Sequence, residues 1–223
     1  MKLIVVLPGG IYSMGFFASW TKLVRDISNG IPQAGIDQVA FVNVYSPVVY
    51  QGRNSMLLAG QKPTKDAQPF NGDYDYILWL ETDMVFEPSD VLKLFDADVE
   101  SISALYSMGA KVPNIAVAGW WNARGEQQRL NIPAVLATEG SFMKVDFHGL
   151  GFLLQKKGVL ERIGYPWFNE LYELRGEEYE YLGDDFSMCK QLKERGVDLY
   201  VHTKVAVGHE KTMVARGGEK WNF

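Results

Sequence analysis

Apolar residues recur along this chain in two patterns, as continuous runs and at steps of three or four residues. The first run, residues 3–7, is typical of a strand buried on both faces of a parallel sheet. Apolar side chains at helical spacing from Phe16 to Ile27 predict an amphipathic helix that ends at Asn29-Gly30. Similar runs predict further strands at residues 39–45, 76–80, 115–120, 151–155, 198–202 and 205–209. Further helices are predicted at residues 52–60, from Pro88, before Gly164 and at residues 184–194.

The clearest βα unit is the strand at 76–80, which is followed by the acidic turn Glu81-Thr82-Asp83 and the helix from Pro88. The turn therefore lies at the carboxyl edge of a sheet, where ligands of open α/β sheets bind. We expect an α/β fold with a mainly parallel central sheet flanked by helices, in one domain over residues 1–215. Residues 216–223 contain two glycines and are expected to form a flexible tail.

Composition excludes several classes of protein. The 223 residues are 47% hydrophobic and 22% charged, as in ordinary soluble proteins. The formal net charge of −5 argues against a nucleic-acid partner, which requires a basic face. Cys189 is the single cysteine, which excludes an intramolecular disulfide and a thiolate zinc site. No apolar run is long enough for a membrane span, so we expect a cytoplasmic protein.

Two pairs of carboxylates are candidates for chemistry. Glu81 and Asp83 are two residues apart, so their side chains point the same way and suit Mg²⁺ or Mn²⁺; helix capping explains them equally well. Asp184 and Asp185 open a helix, where one acid is explained by capping. The second is a candidate general base or an anchor for a substrate hydroxyl.

Glycine, histidine and aromatic positions supply further candidates. His209 follows Gly208 and is either a metal ligand or a structural residue. Gly149 and Gly151 allow close approach of the backbone to a ligand, or form a tight turn. The acidic, aromatic segment 165–181 is either a platform for sugar rings or a cover packed on the core. Its candidate acceptor residues are Trp167, Phe168 and Tyr181.

In order and spacing these motifs resemble the nucleotide-sugar-dependent glycosyltransferases of the GT-A fold, most closely small single-domain enzymes of phage and bacterial genomes. The resemblance extends from Leu3 to about Lys211. Each motif is loose alone, and their order makes the match specific. The motifs are LIVVLPGG, GRN, YDYILWLETDMVFEP, HGLGFLLQ followed by PWF, and GDDFSMCKQLKERG followed by VGHEK.

The resemblance implies a role for each matching position. Asp83 and His209 would ligate a divalent metal, Mn²⁺ or Mg²⁺, that bridges the donor diphosphate. Glu81 stands where the family usually has Asp and would contact the ribose, the metal or a metal-bound water. Asp185, with Asp184 beside it, would be the base of an inverting enzyme or would position a substrate in a retaining one. The remaining donor-binding positions would be Pro8, Gly9, Arg53, Thr82, Gly149 and Gly151.

The function implied is metal-dependent transfer of a sugar from a nucleoside-diphosphate sugar to a hydroxyl acceptor such as a glycan. A UDP-sugar is the favoured donor and a GDP-sugar the competitor. One alternative is a sugar nucleotidyltransferase, although the loop at residues 8–12 lacks the Arg or Lys that such enzymes carry there. The other is a non-catalytic carbohydrate-binding protein, with the acids as helix caps and the aromatic residues as a sugar platform.

Overall fold

The apolar runs form a central seven-stranded sheet with helices on both faces. The computed structural model describes residues 1–29 and 35–211. The strands are β1 (Lys2–Pro8), β2 (Gln38–Val44), β3 (Tyr76–Leu80), β4 (Met84–Val85), β5 (Ser101–Leu105), β6 (Ile115–Trp121), β7 (Gln127–Asn131), β8 (Phe142–Val145), β9 (Phe147–His148), β10 (Phe152–Lys156), β11 (Leu171–Arg175), β12 (Glu178–Leu182), β13 (Leu199–Ala206) and β14 (Gly208–His209). The helices are α1 (Met14–Ser28), α2 (Val49–Leu58), α3 (Pro88–Asp96), α4 (Ile132–Leu136) and α5 (Asp184–Glu194).

The central sheet has the strand order β2-β1-β3-β10-β5-β13-β8. Strand β1 pairs in parallel with β2 and β3, and β13 pairs in parallel with β5. Strand β10 is antiparallel to both of its neighbours, and β8 is antiparallel to β13. All strands but β10 and β8 therefore run in one direction, which confirms the expected α/β class with a mainly parallel sheet.

Both faces of the sheet are covered by apolar side chains. In β1 the residues alternate between two cores: Leu3, Val5 and Leu7 pack on one side, and Ile4 and Val6 pack on the other. Each such side chain, when fully buried, contributes about 1.5–3 kcal/mol to the stability of the folded state. This double burial explains why the strand lacks polar alternation. A rigid sheet therefore supports the turns at its carboxyl edge.

Three helix starts set the loops around that edge. The Ser13 side chain accepts a 3.0 Å hydrogen bond from the N–H of Phe16 and caps α1. Helix α3 begins with a reciprocal capping box between Glu87 and Asp90. Helix α5 begins at Asp184, directly after Gly183. Asp184 and Asp185 consequently lie in the first turn of a helix, as the sequence predicts.

Several predicted elements differ from those observed. The strand predicted at 115–120 is β6, which lies in a separate three-stranded sheet of order β7-β6-β9. The helix predicted before Gly164 is a single 3₁₀ turn, Leu160–Arg162. A second 3₁₀ turn is Pro69–Gly72. The boundary at residue 215 and the tail 216–223 lie outside the described residues. Within the described ranges, no helix is long and apolar enough to cross a membrane.

Candidate functional site

The acidic turn after β3 meets a second segment that is distant in sequence. Strand β14 pairs with β4, so that His209 lies opposite Met84. The N–H of Glu210 donates a 2.8 Å hydrogen bond to the carbonyl of Asp83. Glu81, Asp83 and His209 consequently each offer one ligand atom, and these atoms lie within 4.8 Å of one another. The structure thus brings together the three residues predicted as metal ligands.

The His209 imidazole is oriented to offer one nitrogen to this cluster. Its Nδ1 lies 2.8 Å from the carbonyl of Ser107, and because a carbonyl only accepts, Nδ1 carries the proton. Its buried Nε2 has no hydrogen-bond partner, although it lies 3.2 Å from Asp83 Oδ2. Two lone pairs facing each other at this distance require a proton or a cation between them. The donor set of carboxylates and imidazole therefore fits a divalent cation such as Mn²⁺.

The charges around Asp83 favour its ionised form. Burial would raise the pKa of Asp83, but the adjacent His209 imidazole and the hydrogen bond from Lys211 outweigh it and lower that pKa. Lys211 Nζ lies 2.8 Å from Asp83 Oδ2. Burial would lower the pKa of His209, but Asp83 and the Ser107 carbonyl raise it. His209 and Lys211 are thus arranged to hold positive charge next to the Asp83 carboxylate.

Arg53 connects the acidic turn with the start of α5. Its side chain is only 4% exposed, and its terminal nitrogens contact Glu81, at 2.7 Å, and Asp184. Burial would lower the pKa of Arg53, but these carboxylates raise it. The guanidinium also lies over the ring of Phe168, 5.8 Å from its centroid. Arg53 therefore lies beside the acidic turn, and its charge is engaged by two carboxylates.

A cleft of about 700 Å³ opens beside these residues, and it is called here the donor cleft after the role predicted for several residues of its wall. Pro8, Gly9, Thr82 and the acidic turn lie on its wall, which fits their predicted donor-binding role. The volume is in the range of small-molecule and cofactor sites. The wall also includes Ile11, Tyr12, Ser13, Val44, Tyr45, Ser46, Pro47, Val49, Gly52, Arg53, Glu210 and Lys211.

Asp185 is a carboxylate in a desolvated position. Its Oδ1 accepts a 2.8 Å hydrogen bond from the N–H of Phe186. Burial raises its pKa to about 6, against the lowering effect of Arg53. Asp185 makes no ion pair with any described residue. Asp185 lines a second cleft, which adjoins the first. A carboxyl group that titrates near neutrality in a cleft has the properties of a general base.

The two glycines of the predicted donor loop pack against Tyr106. A Cβ on Gly149 would lie 2.0 Å from the Tyr106 hydroxyl, and one on Gly151 would lie 2.9 Å from its ring. The N–H of Gly151 donates a 2.9 Å hydrogen bond to that hydroxyl. The Gly151 carbonyl in turn accepts a hydrogen bond from the N–H of Glu81. These glycines therefore hold the acidic turn, and their contact with a donor sugar stays a prediction.

Two of the predicted acceptor residues are in the core. Trp167 and Phe168 have no exposed surface, and Phe168 packs edge-on against Trp79. Their burial contradicts the predicted acceptor contact, because a side chain without exposed surface cannot touch an acceptor. An aromatic residue has the same sequence pattern whether it covers the core or faces solvent. Tyr181 is 49% exposed, and its hydroxyl donates a 2.6 Å hydrogen bond to Glu170. Tyr181 therefore remains available to an acceptor.

Four residues at the site were not found by sequence reasoning. Tyr106 and Ser107 follow β5 and carry no local motif, and Glu170 is one of several acids in its segment. Lys211 lies within the VGHEK motif that contains His209, so the motif itself could have indicated it.

Comparison of the fold with solved structures finds two informative likenesses. A197 from STIV matches over 95% of this chain and 87% of its own, with a TM-score of 0.56 and 16% identity. GalNAc-T7, in a crystal structure with UDP, GalNAc and Mn²⁺, matches over 93% of this chain and 43% of its own, with a TM-score of 0.55 and 11% identity. No protein-family model and no curated protein matches the sequence. At these identities the likeness shows the fold, which is similar to that of GT-A glycosyltransferases.

Proposed function

We propose that this protein is a metal-dependent glycosyltransferase. It would transfer a sugar from a nucleoside-diphosphate sugar, with UDP favoured over GDP, to a hydroxyl of a glycan acceptor. The observation that carries the proposal is the convergence of Glu81, Asp83 and the unpartnered Nε2 of His209 at one wall of the donor cleft. GalNAc-T7, which has a similar fold, was crystallised with UDP, GalNAc and Mn²⁺, and this supports the same class of ligand.

Asp83, His209 and Glu81 would hold the divalent ion, which when bound neutralises charge on the departing diphosphate. The hydrogen bond from His209 Nδ1 to Ser107 fixes the ring so that Nε2 faces the carboxylates. Arg53 holds Glu81 and Asp184 in place through two ion pairs. These contacts set the geometry of the site before substrate binds, which reduces the entropy lost on reaction.

Asp185 is the residue that would move a proton. In an inverting reaction its carboxylate would accept the proton of the acceptor hydroxyl as that oxygen bonds to the anomeric carbon and the bond from this carbon to the diphosphate breaks, which releases the nucleoside diphosphate. In a retaining reaction it orients a substrate hydroxyl instead. Its raised pKa and its lack of an ion-pair partner suit proton transfer better than simple sugar binding, and therefore favour an enzyme over a carbohydrate-binding module.

The test is release of nucleoside diphosphate from a panel of UDP- and GDP-sugars with Mn²⁺. We expect wild type to release either UDP or GDP, and we expect the rate of this release to be lower in Asp83→Ala by about 100-fold or more. Asp73→Ala is the matched control, because Asp73 is an exposed carboxylate paired with Lys2. Equal activity of Asp83→Ala and wild type would contradict the proposal. Release of pyrophosphate from a nucleoside triphosphate and a sugar phosphate would indicate a nucleotidyltransferase instead.

A further inference from the structure

A second cleft adjoins the donor cleft and is called here the acidic cleft. It lies between the start of α2 and the hairpin β11–β12, and has a volume of about 690 Å³. The two clefts share Arg53 and Glu81. Ligands in both would therefore meet at these side chains. The acidic cleft is lined by Pro47, Val48, Val49, Tyr50, Arg53, Glu81, Glu170, Tyr181, Asp184 and Asp185.

The charged side chains of the acidic cleft are mostly carboxylates. Its single cation, Arg53, is buried and already paired with Glu81 and Asp184. Among the described residues, neither Glu170 nor Asp185 has an ion-pair partner. An anion entering the cleft would therefore meet two unopposed carboxylates, whereas a hydroxyl or ammonium group would find hydrogen-bond acceptors.

Tyr181 places an aromatic ring on one wall of the cleft. The hydrogen bond from the Tyr181 hydroxyl to Glu170 fixes the ring, and the Tyr172 ring lies 5.4 Å away. Tyr172 is 69% exposed and Tyr181 is 49% exposed. The face of the Tyr181 ring, beside hydrogen-bond acceptors, matches a sugar ring, which has an apolar face and a rim of hydroxyls.

We propose that the acidic cleft is the acceptor subsite, and that it selects uncharged or amino-bearing sugars against sugars that carry a carboxylate or a phosphate. This inference rests on the proposed transferase function, because it makes the cleft the place of the second substrate. Asp185 lies in the cleft and borders the shared wall, so that an acceptor hydroxyl there would be within the range of the proposed base.

The test compares three methyl β-glycosides, the glucoside, the glucosaminide and the glucuronide, by saturation-transfer NMR titration with UDP and Mn²⁺ present. We expect wild type to bind the glucuronide at least about tenfold more weakly than the other two. Glu170→Gln should narrow this preference to about threefold or less, and added salt should weaken it. Glu178→Gln, which removes an equal charge from the same hairpin outside the cleft, should leave the preference unchanged.

Binding of UDP is followed in the same samples, so a failure of the acceptor assignment can be distinguished from a failure of the proposed transferase function. Equal binding of glucuronide and glucoside, or no binding of any glycoside while UDP binds, would overturn the acceptor assignment and leave the transferase function standing. An equal effect of Glu170→Gln and Glu178→Gln would also overturn it. Absence of binding of both UDP and GDP with Mn²⁺ would overturn the proposed function and the acceptor role together.

Discussion

Asp185 is held in an environment that disfavours its charge. Burial raises its pKa from 3.8 to about 6. Between these values the native protein binds more protons than the unfolded chain, so stability falls as the pH rises through this interval and stays reduced above it. The shift of about two units corresponds to roughly 3 kcal/mol lost at neutral pH. Such a cost is typical of a residue retained for chemistry rather than for stability.

We therefore expect Asp185→Asn to be more stable than wild type at pH 7, by up to about 3 kcal/mol, and inactive as a transferase. The gain should disappear as the pH is lowered towards about 4, where the wild-type carboxyl group is protonated. Urea denaturation at a series of pH values measures it. Asp73→Asn, at an exposed carboxylate, should change stability by less than about 0.5 kcal/mol. A gain that does not vary with pH would contradict this account of Asp185.

The loop between β1 and α1 is joined to the acidic turn by two hydrogen bonds. The Thr82 hydroxyl donates to the carbonyl of Ile11 at 2.6 Å, and the N–H of Ser13 donates to the carbonyl of Thr82 at 2.9 Å. Ser13 also caps α1, so the helix, the loop and the turn are fixed together. Thr82 therefore shapes the wall of the donor cleft and is not itself a metal ligand.

Replacing Thr82 with valine removes the hydroxyl and keeps the shape of the side chain. We expect a loss of about 1–2 kcal/mol of stability and weaker nucleotide binding, with affinity for Mn²⁺ nearly unchanged. Thr203→Val is the matched control, because the Thr203 hydroxyl makes an equivalent 2.6 Å hydrogen bond to the Gly140 carbonyl far from the cleft. Thermal unfolding and calorimetry make the comparison. Equal nucleotide affinity in the two variants would show that the Thr82 bond does not shape the cleft.

Elements with a distinct local pattern could be predicted from sequence, and those set by distant contacts could not. The sequence predicts the strand β3 and the acidic turn after it, because an unbroken apolar run is followed directly by three polar residues. The antiparallel direction of β10 was missed, since a strand buried on both faces reads the same in either direction. The burial of Trp167 and Phe168 likewise depends on what packs against them, including Arg53 and Trp79.

The candidate metal site joins two segments that are far apart in the sequence. Glu81 and Asp83 follow β3, whereas His209 is in β14, near the end of the described residues. The three candidate ligands are brought together only in the folded state, so a bound metal ion would add to the free energy of unfolding. The net charge of −5 further favours binding of a divalent cation.

Mn²⁺ should consequently raise the melting temperature of the whole protein. At a concentration of 100 times its Kd the expected stabilisation is about 2.7 kcal/mol. Addition of EDTA should reverse it, and Asp83→Ala and His209→Ala should show little of it. His202→Ala is a useful control, because His202 lies in β13 and outside the cluster. The same rise in all four proteins would place the metal elsewhere.

Calorimetric titration tests whether Asp83 holds a metal ion that binds the donor diphosphate. UDP, with GDP in parallel, is titrated into wild type and Asp83→Ala, each with and without Mn²⁺. We expect one nucleotide, UDP by preference, to bind wild type with Mn²⁺, and this binding to be lost when either Mn²⁺ or the Asp83 carboxylate is removed. Equal binding in all four conditions would contradict a metal-bridged diphosphate at Asp83. Absence of nucleotide binding in every condition would contradict the glycosyltransferase function itself.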